Sequence, residues 1–402
     1  MGHCAKSAAD RHAMADDNRA AIAEDVEVER RLRGSVVGSG IASEGAGRVP
    51  TIDMSSDSSL VAEQMWDAAT SVGFFTVINH GVPDSVIEAG FTASAAFFAQ
   101  PLDVKHAASP FAAQLNSGYE FMTQVRPSTG TADQKESIQI TARAGCMEGR
   151  WPTVDGVEFE AASRALADAS HELGCRILSL LERRACPTIQ AGTLAGSHHL
   201  WGDDGQCTLR MLHYPPTARP EERRKGDKEL WRAGPHTDWC NCTLLYQLPG
   251  NEGLECAANP RAGQTAGWLT VDPVVGGIAV NIGDMLSRWS DGRVLSNLHR
   301  VRMPTAAECD PPRSRYSMAF FMQADKSALI QSESHAPITA GAYILGRIRS
   351  NFESTFQAAD GGADTKGKAG AEEAGSKQGS SRAAGEVAAS AEAQHGGKRQ
   401  KA

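Results

Sequence analysis

The chain has 402 residues, of which 41% are hydrophobic and 22% charged, and these values are ordinary for a globular protein with a sizeable core. Its formal net charge of -8, from 40 basic and 48 acidic residues, argues against a general nucleic-acid binder. No apolar run approaches the roughly 20 residues that span a bilayer, and no apolar signal segment opens the chain. We therefore expect a cytoplasmic protein with mostly reduced cysteines and with neither a nucleic-acid nor a membrane partner.

Composition divides the chain into three parts. Residues 1–47 contain no aromatic residue, and residues 357–402 contain a single large aliphatic residue, Val387. Segments of this kind bury too little apolar surface to offset the entropy of ordering, so we predict that both are disordered tails. A short helix over residues 24–33 is an alternative for part of the first tail. Residues 48–356 are expected to form one folded unit.

The first part of this unit, residues 48–207, is predicted to be an α/β region. Strands are expected where β-branched and aromatic residues cluster, and helices where apolar residues recur every three to four positions. The predicted elements in chain order are a strand over residues 49–54, a helix over 58–73, a strand over 73–83, a helix over 84–99 and a helix over 158–185.

From Thr208 the pattern changes to short apolar runs that Gly, Pro, Asn and Asp separate. This spacing is typical of an antiparallel sandwich or barrel, so residues 208–330 are predicted to be a mainly β core. A helix over residues 338–352 is expected to close the unit within residues 331–356. The apolar runs are TLRMLHY, TLLYQL, LECA, WLTV, GIAVNIGDML, VLSNLHRV and YSMAFFMQA.

Three residues of this core are candidate metal ligands. The segment GPHTDWCNCTLL places His236 and Asp238 two positions apart, and residues i and i+2 of a strand point to the same face. A second histidine, His299, lies on another predicted strand. Two imidazoles and one carboxylate on one face form the facial triad of non-haem iron(II) oxygenases, which leaves half of the octahedron open for substrate and dioxygen. An H-x-D pair alone is a weak signal, because chance pairs are more common.

A second polar pair, Arg315 and Ser317 in RYSMAFF, follows on a later predicted strand. A guanidinium clamps a carboxylate with two parallel hydrogen bonds, and a nearby hydroxyl adds a third. An arginine that points into an apolar barrel is costly without such a partner. The pair therefore fits the far carboxylate of a dicarboxylic cosubstrate whose other end chelates the metal.

With these motifs in this order, the central 300 or so residues resemble the isopenicillin N synthase-like family of iron(II)- and 2-oxoglutarate-dependent dioxygenases. The resemblance implies a mainly β fold with flanking helices, built on a double-stranded β-helix (jelly-roll) core. The segments that resemble the family are VPTIDM, GFFTVINHGVP, NSGYE, DQKESIQI, the WP at 151–152, HYPP, HTDWCNCTLL, GIAVNIGDML, LSNLHRV, RYSMAFF and ITAGAYILGRI.

The resemblance also implies roles for individual residues. The three candidate ligands would hold iron(II), Arg315 and Ser317 would bind the distal carboxylate of 2-oxoglutarate, and Tyr214 would donate a hydrogen bond to the same carboxylate. The family often has Asn two residues before this Tyr, where this chain has Leu212. One polar contact to the cosubstrate is therefore absent or supplied elsewhere, and Arg210 is a candidate to supply it.

The activity implied by the resemblance is that of an oxidoreductase that uses iron(II), 2-oxoglutarate and dioxygen. It would release succinate and carbon dioxide while a small organic molecule is hydroxylated, desaturated or cyclised. One alternative is an iron oxidase of the same fold that does not use 2-oxoglutarate, with Arg315 holding the substrate's own carboxylate. Another is a non-catalytic metal-binding jelly-roll protein.

Four residues are candidates for the wall of the substrate pocket, namely Tyr119, Arg210, Trp239 and Phe321. A packing role for Tyr119 is an equal alternative. The residues that face the substrate in this family lie on variable loops and barrel positions. One sequence therefore leaves open the primary substrate, the kind of oxidation and the oligomeric state.

Overall fold

Two sheets of mainly antiparallel strands dominate the computed structural model. The described residues are 22–23, 25–29, 31, 48–125, 131–217, 230–259 and 267–360, and for residues 351–360 only the backbone is described. The strands are β1 (Thr51–Asp53), β2 (Phe74–Ile78), β3 (Gly118–Phe121), β4 (Glu136–Thr141), β5 (Thr208–Tyr214), β6 (Ala233–His236), β7 (Cys242–Gln247), β8 (Leu254–Ala257), β9 (Trp268–Thr270), β10 (Gly277–Ile282), β11 (His299–Val301), β12 (Arg315–Met322), β13 (Leu329–Ile330) and β14 (Ile338–Thr339).

Helices precede and follow the strand-rich half. They are α1 (Ser58–Ser71), α2 (Asp84–Phe98), α3 (Leu102–Ala108), α4 (Phe159–Ala185), α5 (Thr193–Gly196), α6 (Asp284–Trp289) and α7 (Ala340–Asp360). No helix among the residues that the structure describes is both long enough and apolar enough to cross a membrane.

The order of the strands is that of a double-stranded β-helix. The large sheet has the order β1-β2-β10-β7-β12-β5-β4-β3, and the small sheet has the order β6-β11-β8-β9. From β5 to β12 the chain alternates between the two sheets except where β8 and β9 pair as neighbours. The predicted jelly-roll core with flanking helices is thereby confirmed.

The N-terminal part contributes strands to the same large sheet as the core. β2 pairs antiparallel with β10, and β4 pairs antiparallel with β5. β3 and β4 are absent from the predicted elements. In β4, whose sequence is ESIQIT, only Ile138 and Ile140 are apolar, although all six residues are buried. An alternation of two apolar positions is too short to distinguish a strand from a loop.

Most of the predicted elements are present with boundaries shifted by a few residues. The long run GIAVNIGDML is the main exception, because only residues 277–282 are a strand and Asp284 begins α6. The closing helix extends to Asp360, beyond the predicted end of the unit at residue 356.

The two predicted tails lie mostly outside the described residues. Between Ile22 and Arg31 the described residues are helical, which differs from the predicted tail and agrees with the short helix considered for residues 24–33. Ile22 is buried, and Glu29 forms a buried ion pair with Arg347 of α7. The disorder predicted for residues 1–21, 32–47 and 361–402 stays a prediction.

The large sheet has one face toward the helices and one toward the small sheet. Along β12, Met318 and Phe320 belong to the apolar cluster formed with the helices, here called the helix-side cluster. Ala319 belongs to a second cluster that joins both sheets, here called the interior cluster. Arg315 and Ser317 share the face of Ala319, because alternate residues of a strand point the same way. The buried members of the interior cluster are Val72, Phe74, Leu212, Tyr214, Ala233, Leu254, Cys256, Ala258, Leu269, Val271, Ala279, Val301 and Ala319.

Phe320 tests the packing of the helices on the large sheet. It is fully buried in the helix-side cluster, so Phe320→Ala removes apolar contacts and leaves a cavity. We expect the free energy of unfolding to fall by about 3–5 kcal/mol, measured by urea denaturation. Val275→Ala, at an 84% exposed position, is the control and should change it by less than about 0.5 kcal/mol. Equal effects of the two substitutions would contradict this packing.

Candidate active site

Two imidazoles and one carboxylate converge between the two sheets. His236 ends β6 and lies directly opposite His299 in the pairing of β6 with β11, with ring centroids 4.3 Å apart. The Nε2 atoms of His236 and His299 lie 3.9 and 3.7 Å from Oδ1 of Asp238. One ligand atom from each of the three residues lies within 4.8 Å of the others, which a single metal ion could bridge. The structure therefore brings together the three residues that the sequence singled out.

The carboxylate reaches this point by a route other than the predicted one. The strand ends at His236, so Asp238 lies in the loop that follows and not on a shared strand face. The turn between β10 and α6 holds this loop, since the backbone N–H of Asp284 donates to the carbonyl oxygen of Asp238 at 2.8 Å. A Cβ at Gly283 would lie 2.1 Å from the carbonyl oxygen of Cys240, so the close approach requires glycine there.

Backbone carbonyl groups select the tautomer of both neutral imidazoles. Nδ1 of His236 lies 2.7 Å from the carbonyl oxygen of Gly234, and Nδ1 of His299 lies 3.3 Å from that of Asn297. A carbonyl oxygen only accepts, so each Nδ1 carries the proton. Each Nε2 is then left with a lone pair that faces the carboxylate, which is the tautomer that a metal needs.

The carboxylate of Asp238 is held from one side. Its Oδ2 accepts hydrogen bonds from the hydroxyl of Thr243 at 2.6 Å and from Nδ2 of Asn281 at 2.9 Å. These donors occupy Oδ2 and leave Oδ1 toward the imidazoles, which favours ligation through one oxygen. Neither donor is among the candidate site residues expected from the sequence. Asn281 had a signal, since it is the one polar residue in the buried apolar run GIAVNI.

A buried cation lies on the interior face of β12. Arg315 is 2% exposed and donates hydrogen bonds to the carbonyl oxygen of Asn251, to Ser317 Oγ and to Gln247 Oε1 at 3.0, 3.1 and 3.0 Å. None of the described residues places a carboxylate oxygen within 4.0 Å of it. Burial lowers the pKa of Arg315, which reflects the free energy of holding a charge away from water. Such a cation favours an anionic ligand.

The remaining predicted residue of this group lies beside the cation. Tyr214 is directly opposite Arg315 in the pairing of β5 with β12, and the guanidinium carbon lies 4.9 Å from the tyrosine ring centroid. Ser317 is opposite Leu212, the position where the family often has Asn. The guanidinium, the serine hydroxyl and the tyrosine are thus grouped on the interior face.

The four pocket candidates separate into two pairs. Arg210 and Phe321 lie on the interior face, where the guanidinium carbon is 5.4 Å from the phenyl ring centroid and Nη2 donates to Gln139 Oε1 at 2.5 Å. Tyr119 instead packs in the helix-side cluster and its hydroxyl donates to buried Glu136, which favours the packing role over the pocket role. Trp239 is half-buried against that cluster as well.

Comparison with known proteins identifies the family. Residues 49–155 match the N-terminal family described as non-haem dioxygenase in morphine synthesis, and residues 205–324 match the 2OG-Fe(II) oxygenase superfamily. A 2-oxoglutarate-dependent dioxygenase of Didymella fabae is 30% identical over 73% of this chain and 90% of that protein. The 2-oxoglutarate-Fe(II) type oxidoreductase hxnY of Emericella nidulans is 29% identical over 73% of this chain and 85% of that protein.

Solved structures show the same fold. A full-length Neurospora crassa protein in complex with alpha-KG superposes with a TM-score of 0.62 at 24% identity, over 77% of this chain and 98% of that chain. The rice dioxygenase for auxin oxidation superposes with a TM-score of 0.57 at 22% identity, over 75% and 96% of the two chains.

The chain belongs to the 2OG-Fe(II) oxygenase superfamily. It is an iron(II)- and 2-oxoglutarate-dependent dioxygenase, an oxidoreductase that consumes dioxygen and 2-oxoglutarate and releases succinate and carbon dioxide as it oxidises a small organic molecule. The predicted family, class of reaction and cofactors are thereby confirmed.

Asn281 tests how the carboxylate of Asp238 is held. In Asn281→Ala one of the two donors to Oδ2 is lost, so the carboxylate can rotate away from the imidazoles. We expect the affinity for Mn(II), measured by calorimetry on the ligand-free chain, to fall by about 10-fold. Asn259→Ala is the matched control, since this amide donates to the carbonyl oxygen of Ser71. Unchanged Mn(II) affinity in Asn281→Ala would show that Asp238 is oriented without it.

Proposed function

We propose that His236, Asp238 and His299 are the three protein ligands of iron(II) in this dioxygenase. The observation that supports the assignment is the convergence of two Nε2 atoms on one carboxylate oxygen, in a barrel whose interior face also carries a buried arginine with no carboxylate partner among the described residues. Two imidazoles and one carboxylate suit iron(II) and leave coordination positions open, whereas closed structural zinc sites use four protein ligands.

We further propose that Arg315, Ser317 and Tyr214 bind the distal carboxylate of 2-oxoglutarate. After its three bonds within the protein, Arg315 still has N–H donors for a carboxylate, and the charge of the ligand would compensate the buried cation. The apolar residues of the interior cluster exclude water, which strengthens this interaction. The same contacts orient the 2-oxo acid end of the cosubstrate toward the metal ligands.

Iron(II) held by these residues would supply the activation of dioxygen: 2-oxoglutarate loses carbon dioxide and takes up one oxygen atom to become succinate, and the second oxygen atom serves as the two-electron oxidant of the substrate. The protein contributes geometry. Both histidines keep their Nδ1 protons, which donate to backbone carbonyl oxygens, and direct Nε2 toward the metal, so neither imidazole acts as a base. Arg210 and Phe321 are proposed to line the substrate pocket, since both face the interior.

A cytoplasmic location is part of the proposal. The eight cysteines that the structure describes all carry free thiols, and seven of them are buried. Free thiols suit a reducing compartment.

The metal ligands can be tested by turnover and by metal binding together. Asp238→Ala and His236→Ala each remove one of three protein ligands. We expect both to abolish succinate release that depends on iron(II) and 2-oxoglutarate, and to weaken Mn(II) binding measured by calorimetry. The exposed residues Asp103 and His106 provide the matched controls Asp103→Ala and His106→Ala, which should behave as the unmodified chain. Near-normal turnover in either ligand variant would refute the assignment.

Arg315→Leu tests the cosubstrate assignment. It removes the guanidinium but keeps an apolar side chain in the barrel, so the metal site should survive. We expect the affinity for 2-oxoglutarate to fall by the equivalent of about 2–5 kcal/mol, measured as KM and by direct binding, with Mn(II) affinity unchanged. The control is Arg164→Leu on α4, where the arginine is paired with Glu160 at the surface. Unaltered cosubstrate affinity would favour the alternative in which Arg315 holds the substrate.

A further inference from the structure

Five arginines are buried among the residues that the structure describes, and their partners separate them into two groups. Two of them, Arg232 and Arg315, have no carboxylate oxygen within 4.0 Å among the described residues. The other three each form a short ion pair, which for Arg288 is with Asp25 at 2.7 Å, for Arg300 with Glu255 at 2.6 Å and for Arg347 with Asp284 at 2.9 Å.

The two arginines of the first group flank the same aromatic ring. The guanidinium carbon of Arg315 lies 4.9 Å from the ring centroid of Tyr214, and that of Arg232 lies 5.9 Å from it. Arg232 immediately precedes β6, so it sits where the start of β6 meets the end of β5 and the start of β12. Both cations are therefore placed at the end of the barrel proposed to receive the distal carboxylate.

Arg232 has few protein partners for its five N–H groups. Nη2 donates a long hydrogen bond of 3.4 Å to the carbonyl oxygen of Arg313, and the buried Nε has no partner among the described residues. The nearby carboxylate of Glu308 is already engaged by Arg302 through two hydrogen bonds at 2.7 and 2.8 Å. A side chain that is 94% buried thus has unused donors beside the cosubstrate region.

The electrostatics of this pair are unfavourable without a ligand. Burial and the positive charge of Arg315 lower the pKa of Arg232 to about 10. Two like charges in a region of low dielectric repel each other, and each also loses hydration. One carboxylate that accepts hydrogen bonds from both guanidinium groups would offset both effects.

We propose that Arg232 is a second guanidinium for the distal carboxylate of 2-oxoglutarate and determines cosubstrate specificity together with Arg315. The inference rests on the proposed function, since it takes the cosubstrate to span from the metal to this end of the barrel. It goes beyond the roles carried over from the family motifs, which include Arg315, Ser317 and Tyr214 but not Arg232. A carboxylate has about four acceptor positions and can take one hydrogen bond each from Arg315, Ser317, Tyr214 and Arg232.

A comparison of two ligands tests the proposal without turnover. The ligands are 2-oxoglutarate and 2-oxopentanoate, which share the metal-chelating end and the chain length but differ in the distal carboxylate. Their dissociation constants are measured by calorimetry on the full chain loaded with Mn(II), for the unmodified chain and for Arg232→Met. We expect Arg232→Met to weaken 2-oxoglutarate binding by roughly 10-fold or more and to change 2-oxopentanoate binding by less than about twofold.

Further variants define the controls. Arg315→Met should give a similar selective loss, and Arg232→Lys should retain part of the affinity, because it keeps the charge but not the planar fork. Arg164→Met on α4 should change neither constant. If Arg232→Met does not fold, Arg232→Gln gives the same comparison with N–H donors but no charge, and a selective loss of 2-oxoglutarate affinity is again expected.

The possible outcomes distinguish this inference from the function on which it rests. If Arg232 variants weaken both ligands equally, Arg232 is structural and the proposal is overturned. If they weaken neither ligand, it is overturned as well. If the unmodified chain itself shows no preference for 2-oxoglutarate over 2-oxopentanoate, the assignment of this end of the barrel to the distal carboxylate fails, whatever the variants do.

Discussion

The antiparallel pairing of β6 with β11 places two imidazoles opposite each other, and the rest of the active site is arranged around that pair. Contacts on the outer face of the small sheet stabilise this strand pairing. Arg300 is paired with buried Glu255, and its guanidinium carbon lies 3.8 Å from the ring centroid of Trp268. Because neighbouring residues of a strand point to opposite faces, an anchored Arg300 directs His299 into the interior. A few residues of strand thereby position ligands that lie more than 60 positions apart in the chain.

Charge is distributed unevenly along the interior of the barrel. Asp238 supplies a negative charge beside the imidazoles, whereas Arg315 and Arg232 supply positive charge at the other end of the proposed cosubstrate site. Apolar residues of the interior cluster, among them Leu212, lie between the sheets and keep the dielectric low. An elongated ligand with a metal-chelating end and a carboxylate end matches this distribution, and the matching charges would select it over ligands that lack either end.

The elements at the two ends of the described chain support the loop that carries the carboxylate. Thr237 donates its hydroxyl to Asp284 at 3.0 Å, and Asp284 pairs with Arg347 of α7 at 2.9 Å. Arg347 also pairs with Glu29 of the N-terminal helical residues. Desolvation raises the pKa of Asp284 to about 6. The loop between the two metal-ligand candidates is therefore connected through side chains to the closing helix.

Local sequence pattern determined the mainly β core, most of the helices and strands, and the His236–Asp238 and Arg315–Ser317 pairs, because each depends on periodicity or on a short motif. The order of the motifs along the chain, which includes His299, determined the family resemblance and through it the expected jelly roll. Only the tertiary structure decided that Asp238 lies in a loop, that Tyr119 faces the helices, and that Arg232 lies beside Tyr214. Those facts depend on where strands end and on which residues oppose each other across a sheet, and pairing between segments far apart in the chain leaves no local pattern.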